Sequence, residues 1–600
     1  MKMTVAKYIA EFLVSHGIDH NFTVTGGGAM FLNDALGHHK NIISTYHHHE
    51  QAAAIAAEGY ARLTGTPACL CVTTGPGGTN ALTGVLGAWL DSIPMIVISG
   101  QVKFTTTIKS TKVPLRQLGD QEYNIVDSVK PMTKYAHMIT EPSEIKFHME
   151  KMFYLATHGR KGPVWLDIPL NVQSAIIDTE DLKNFIPDEK IKAVEEPIYN
   201  LSYTNKIIEC LNNSKRPVIY AGTGIRLADV HKEFLQLLDK FKIPVVTSLD
   251  SHDLIYDDHF CFAGRPGTVG TRGGNFVVEN SDLLLILGCR LNIRQISYNY
   301  QNFAKNAYKI MVDIDAGELH KPTLSIDMPV HANVKDVIQD LLKTEYNTTE
   351  EKNKWLDWAH KMSNKYPPAL PEYYLKSKPV NPYAFMEKFF NLLDDDEIVV
   401  CGNASATVIS FQAAKFKSNQ RLLTNSGCAA MGYGFPASIG CAVARPDKRV
   451  ICIDGDGSFQ MNLQELQTVI YNRLNLKILY INNNGYHSIR QTQTNLFTPP
   501  LVGVCSGNGL SFPDIGKIAN AYGIKFFKID DLNQAEIVAK EFLQSDGAAL
   551  CEIVVDPKQN FEPKLSSKRL PDGSIVSPPI DDMFPFLPRE EYQQNKNVQF

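Results

Sequence analysis

Short apolar runs rich in β-branched residues recur along the whole chain, each ending in a glycine or polar turn and followed by a helix-like stretch. Ala68–Thr73 leads into Gly75-Pro76-Gly77-Gly78, then a helix ending near Trp89, then the apolar run Met95–Ser99. Strand, glycine turn, helix, strand is a βαβ unit, and its repetition dictates a parallel sheet covered by helices. Open parallel sheets bind ligands outside the carboxyl ends of their strands. Chemistry is therefore expected in the residues that follow each apolar run.

The rhythm appears three times. With 600 residues, and about 100–200 per domain, three or four domains are expected. The first spans residues 1–175. It opens on an amphipathic helix that places Val5, Ile9, Phe12 and Leu13 on one face. A polar linker with Pro187 and Pro197 follows. A second domain, residues 195–345, carries candidate strands Pro217–Ala221, Pro244–Ser248, Leu283–Leu287 and Ile310–Ile314. Helix-like Glu350–Lys365 and a proline-rich stretch (Pro367 to Pro382) link it to a third, residues 380–557. The clearest strands there are Arg449–Ile453, Leu476–Asn482 and Leu550–Val555. The proline-rich tail, residues 558–600, reads as a lid over a site or as a disordered segment. The fold class is α/β, three doubly wound parallel-sheet domains with no visible sequence repeat.

Composition narrows the function. Lys plus Arg is 59 against 64 Asp plus Glu, a net charge of −5, with no basic cluster, which argues against nucleic acid. No apolar run reaches membrane-spanning length, and Met1–Asp19 lacks the unbroken apolar stretch of a signal peptide. The eleven scattered cysteines contain no CxxC pair and read as reduced thiols. The expected address is the cytoplasm.

The most informative stretch is Arg449–Arg490. An apolar strand ends in Gly455-Asp456-Gly457-Ser458. After 24 intervening residues, counted from Gly457, a second strand ends in Asn482-Asn483. In a parallel sheet these ends share one edge, so Asp456 and Asn483 should converge. A carboxylate and an amide oxygen are hard ligands that suit Mg²⁺, which takes its remaining ligands from phosphate and water. Gly455 and Gly457 let backbone N–H groups approach those phosphates at a helix N-terminus.

This pattern resembles the thiamine-diphosphate signature, GDG followed some two dozen residues later by NN. The resemblance implies metal ligation by Asp456, Asn483 and the Gly485 carbonyl, with Ser458 on the diphosphate. Such a cofactor carries its own electron sink; the protein must position it and relay a proton. His47-His48-His49-Glu50-Gln51-Ala52, continuing to Ala61-Arg62, is similar to the family's HEQAAA…AEGYAR segment, whose Glu is the relay. Glu50 is thus the expected catalytic carboxylate, placed in an apolar site that raises its pKa. Three successive histidines cannot face one ion, so no metal is read there. Thr424–Gly434 is similar to the TSGGLGTMGYG segment of acetolactate synthases. Met431 then props the bent cofactor and the Ala429 carbonyl accepts from its amino group. Gly27, Gly28 and Asn403 are further expected cofactor contacts. The central domain resembles an FAD-associated domain, and Gly222, Thr223, Gly264, Arg290 and Asp313 fall on flavin-contact positions. Relatives with and without flavin share this domain, and both readings stay open.

Departures cluster at the expected acceptor pocket. Gln121 matches a catalytic Gln, but Asp120 stands where a Phe precedes it. Thr492 replaces the Trp of an RQWQ motif, whereas Arg294 matches an Arg that meets an acceptor carboxylate. The resemblance implies a carboligase that decarboxylates a 2-oxo acid, pyruvate, and transfers the two-carbon unit to a carbonyl acceptor. It also implies a homodimer or homotetramer in which two chains build each site. Alternatives are acetyl transfer to a keto-sugar nucleotide or other polar acceptor, and simple decarboxylation or C–C hydrolysis. A non-catalytic relative, from another class, would be expected to lose Glu50 or the metal ligands; this chain keeps them.

Overall fold

A computed structural model describes residues 1–598. Three parallel sheets form, as the alternation requires. The first has six strands in the spatial order Ile43–Tyr46, His20–Thr23, Ala68–Val72, Met95–Gln101, Pro163–Pro169, Tyr135–Met138. The third runs Arg421–Leu423, Ile398–Cys401, Val450–Gly455, Leu476–Asn482, Ala549–Val554, Lys525–Ile529. Numbered along the chain, both sheets read 2-1-3-4-6-5. The central sheet has five strands, Val245–Thr247, Pro217–Ala221, Leu283–Leu287, Tyr308–Asp313 and Met328–His331, ordered 2-1-3-4-5. Ala68–Val72, Pro217–Ala221 and Leu283–Leu287 are buried at every position, as strands covered on both faces must be.

Local signals act where expected. Thr4 caps the helix Val5–Ser15 by accepting from the Lys7 N–H, and Val5, Ile9, Phe12 and Leu13 are buried beneath it. Glu350–Lys365 is a helix over those residues, capped by Thr349. Between the first two sheets the polar linker adds a strand, Ile176–Asp178, antiparallel to Lys2–Thr4.

The described part of the tail lines neither of the two cavities described below and does not lie free. It straps the central domain. Arg272 donates to the carbonyls of Met583 and Pro585. Asn275 donates to Ile580 O at 2.9 Å and Asn280 to Asn595 O at 2.8 Å. The terminal helix Arg589–Lys596 contributes buried Tyr592 to the core under Phe276. The proline-rich composition conceals this docking, because the anchors are central-domain side chains gripping tail carbonyls.

Two helices that each follow the second strand of their domain, Glu50–Thr64 and Gly434–Ala444, pack against each other. Their contact faces are built of small residues. A Cβ on Gly440 would stand 1.9 Å from the Ala56 carbonyl oxygen, and one on Gly59 would stand 2.4 Å from that of Ala437. Beside this seam Arg62 pairs with Glu58 and, at 2.8 Å, with Asp91. The Tyr433 hydroxyl donates to Glu58 at 2.8 Å, and the Gly427 N–H to Asp91 at 3.1 Å. Asp250 of the central domain receives the Ser426 N–H at 3.2 Å. Three domains thus meet on one buried polar cluster. Gly440→Val is expected to push the two helices apart and to destabilise the chain by about 1–3 kcal/mol or more; calorimetric melting checks it, and an unshifted transition would count against this seam.

Candidate active site

The carboxyl edge of the third sheet carries the metal-type ligands. Gly455 ends its strand and Asp456 opens the next helical turn. Asp456 Oδ1 accepts from Gly457 N at 2.8 Å and Oδ2 from Gly485 N at 2.9 Å. Burial pushes its carboxyl up to about 6 despite these donors. On the adjacent strand Asn483 donates to Ser405 Oγ at 3.2 Å, while its buried Oδ1 has no partner. Asn484 (φ +56°) and Gly485 (φ +136°) then swing the backbone away. Only glycine fits at 485, since a Cβ would lie 1.9 Å from Val504 O. A carboxylate raised by burial and an orphaned amide oxygen on one rim are a donor set that fits a hard divalent ion.

A cavity of about 200 Å³ opens here, lined among others by Asn403, Met431, Asp456, Ser458, Asn483 and Arg294. The expected cofactor contacts of this domain are therefore together. Ser458 Oγ accepts from Gly432 N at 2.9 Å and Asn403 donates to the Ala429 carbonyl at 3.1 Å. Tyr486 and Ser405 line the same cavity and Arg490 bonds to its Asn483 carbonyl; the sequence reading assigned none of them to the site. Tyr486 lies over Gly457, where a Cβ would sit 2.3 Å from its ring. An apolar-then-serine helix start and an arginine behind a polar turn carry no distinctive spacing, so no signal flagged them. Asp454, beneath the cavity, is held neutral-leaning by burial, up to about 7.

The first domain carries the other expected groups on its own carboxyl edge. Glu50 opens its helix, half-buried, and Asn80 donates to its Oε2 at 2.9 Å. The expected apolar surround is not provided within one chain, because this edge faces outward. Gly27 opens a turn into free space, whereas a Cβ on Gly28 would collide with Thr74 Oγ1 at 1.8 Å. Gln121, in the left-handed region at φ +59°, is exposed, as are Asp120 and Thr492. None of Glu50, Asp120, Gln121 or Thr492 lines the cavity. The three histidines diverge: His47 is buried and pairs with Glu465 at 2.9 Å, His48 is exposed, and His49 caps the Glu50 helix.

A second cavity, about 510 Å³, follows the carboxyl edge of the central sheet and includes Thr223, Arg290 and Asp313 in its lining. Gly222 and Gly264 do not line it; each is pressed against backbone, with a Cβ 2.2 Å from Gly288 O and 2.9 Å from Gly274 respectively. Leu249 and Ser426 belong to both cavity walls.

Comparison with known proteins agrees with this layout. The chain matches the thiamine pyrophosphate enzyme N-terminal TPP binding domain over residues 3–122, the central domain over 204–341 and the C-terminal TPP binding domain over 402–553. It is 31% identical to a probable acetolactate synthase large subunit of Methanococcus aeolicus, over 92% of each chain. It is 32% identical to one of Methanocaldococcus jannaschii, over 93% of each. With the acetolactate synthase isozyme 1 large subunit of Escherichia coli K12 it shares 30% identity, over 94% of this chain and 96% of that one. No helix among the described residues is long and apolar enough to cross a membrane.

The raised Asp456 carboxyl gives a pH test. Only its ionised form takes a cation, so Mg²⁺-dependent retention of thiamine diphosphate is expected to fall as pH drops through about 6. Without metal the sign reverses. The folded chain then holds this proton more tightly than the unfolded one, and loses stability as pH rises from the ordinary carboxylate range to about 6. Calorimetric titration at about pH 5 and about pH 8 checks it; equal Mg²⁺ dependence at both would remove Asp456 from the metal site.

Proposed function

For a chain that belongs to the thiamine pyrophosphate enzyme family, we propose the activity of an acetolactate synthase-like carboligase, with pyruvate as donor and Mg²⁺ anchoring the cofactor. The observation that carries this is the orphaned Asn483 amide oxygen beside the raised Asp456 carboxylate, at the mouth of a cavity that also holds Met431 and Ser458.

In this reading Asp456, Asn483 and the Gly485 carbonyl hold Mg²⁺, and the Ser458 hydroxyl and the N–H groups of Gly455 and Gly457 receive the diphosphate. Met431 fills the bend of the cofactor, its flexible thioether suited to an irregular surface. Bound there, thiamine diphosphate supplies a carbanion-stabilising ring for decarboxylation and carbon–carbon bond formation. The Ala429 carbonyl accepts from the cofactor's amino group. Glu50 moves a proton at the pyrimidine nitrogen, and Asn80 fixes the orientation of its carboxylate. Arg294, a cation on the cavity wall, receives an anionic group of the acceptor. Asp120 and Thr492, in place of two aromatic residues, leave the acceptor side wide and polar.

The site is shared between two copies. Within one chain the Glu50 edge and the Asp456 cavity are separate, and apolar side chains stand exposed beside each. Met30 and Phe31, 49% and 40% exposed, follow the Gly27 turn, and Met461 and Ile489, 47% and 49%, adjoin the cavity. Covering such side chains by a second copy brings one copy's Glu50 edge over the other's cavity and supplies the apolar surround that Glu50 lacks alone. In the central cavity FAD is the proposed occupant, and Thr223, Arg290 and Asp313 of its lining are the residues that would hold it.

Pyruvate supplied alone is expected to give carbon dioxide and acetolactate, resolved by product mass. A panel of polar keto-sugars added in competition tests the acceptor. Carbon dioxide release without any carbon–carbon product would replace the carboligase with a decarboxylase. Glu50→Gln is expected to keep the fold and the cofactor but to slow exchange of the thiazolium C2 proton by roughly 10²–10⁴-fold. Acid quench and NMR read that rate, and an unchanged value would make Glu50 a helix-start residue only.

A further inference from the structure

Arg490 stands behind the cavity that carries the metal-type ligands and is not itself part of its lining. Its guanidinium gathers backbone carbonyls instead. Nη2 donates to Asn483 O at 2.9 Å and Nη1 to Asn484 O at 3.2 Å. Nη2 also reaches Pro557 O at 3.2 Å, where the last strand of the domain hands over to the tail strap. His487 Nδ1 lies 3.1 Å away on the same helix. The turn so held is the one that carries Asn483 and Gly485, and it contains two successive positive-φ residues, one of them not glycine. Such backbone persists only where its surroundings over-determine it. The turn's N–H groups are held elsewhere, Asn484 N on Asn482 Oδ1 at 3.1 Å, Gly485 N on Asp456 Oδ2 at 2.9 Å and Tyr486 N on Val504 O at 2.8 Å, while its Asn483 and Asn484 carbonyls are held by this one planar fork.

We propose that Arg490 is a positioning residue for the metal: it sets the direction of the Asn483 amide and the Gly485 carbonyl, and so the affinity for Mg²⁺. This rests on the metal assignment above and goes beyond it, since Arg490 contacts no ligand of its own. The forked shape matters. An ammonium is a point donor and cannot span the two adjacent carbonyls and Pro557 together. Arg490 also carries positive charge toward Asp456. Charge alone would oppose a second cation, so the effect of removal separates geometry from electrostatics. Loss of positioning weakens Mg²⁺ binding, whereas loss of mere repulsion strengthens it.

The test titrates thiamine diphosphate calorimetrically into the metal-stripped full chain at a series of Mg²⁺ concentrations, with no substrate. In Arg490→Met the Mg²⁺ concentration for half-maximal uptake should rise about 10–100-fold, the range for outer partners of metal ligands, and uptake at saturating Mg²⁺ should recover. Arg490→Lys should fall between the two. Asp456→Asn, run alongside, should abolish the Mg²⁺ dependence. A wild-type midpoint in Arg490→Met, or a lowered one, overturns the positioning role while Asp456→Asn still loses metal. Unchanged Mg²⁺ dependence in Asp456→Asn would overturn the metal assignment and this inference with it. If Arg490→Met does not melt cooperatively, Arg490→Lys decides: a wild-type midpoint there overturns the proposal.

Discussion

The seam between the helices Glu50–Thr64 and Gly434–Ala444 governs the rest of the molecule. Backbones come this close only where side chains are absent, and Gly59, Gly440 and the run Ala52–Ala57 provide that absence. The same helix that presents alanines to the seam begins with Glu50, and the same segment that leads into Gly434 carries Ala429 and Met431. Fixing the seam therefore fixes the spacing between two functional edges. The buried cluster of Arg62, Glu58, Asp91 and Tyr433 adds orientation, for charges out of water are tolerable only when paired in one geometry.

A consequence is a chain that carries its candidate groups on two separate edges, the Glu50 edge contributing no residue to the Asp456 cavity. Glu50, Gly27 and Gln121 lie on one, and Asp456, Asn483 and Met431 on the other. Each edge obeys the rule that parallel sheets do their chemistry at strand carboxyl ends. Met30 and Phe31 stand exposed by the first edge, and Met461 and Ile489 by the second.

Much of this was legible in the sequence because the relevant forces are local. Buried parallel strands are predominantly apolar, so Leu283–Leu287 and, despite Lys477, Leu476–Asn482 announced themselves with their bounds. The Asp456–Asn483 pairing followed from two strand ends sharing an edge. What escaped depended on distant contacts. The tail looked structureless because its anchors, Arg272, Asn275 and Asn280, sit some three hundred residues upstream. The close approach of Gly222 to Gly288 and of Gly264 to Gly274 also carried no sequence signal. Glu50 was expected in apolar surroundings, a property that one chain does not possess. Arg490 gave no spacing signal, since what it holds is backbone.

The two outer domains share a strand order, and the helices at the seam occupy the same place in each. The contact is thus isologous: a surface meets its own counterpart across a local twofold axis, as in a symmetric dimer. The chain behaves as a dimer of like domains whose halves are tethered through the central one, at an effective concentration far above any free pair. Self-matching surfaces impose a reciprocal rule on change. Bulk added at Gly440 meets the Ala56 backbone and bulk added at Gly59 meets that of Ala437, and backbone leaves no side-chain volume to give up in return.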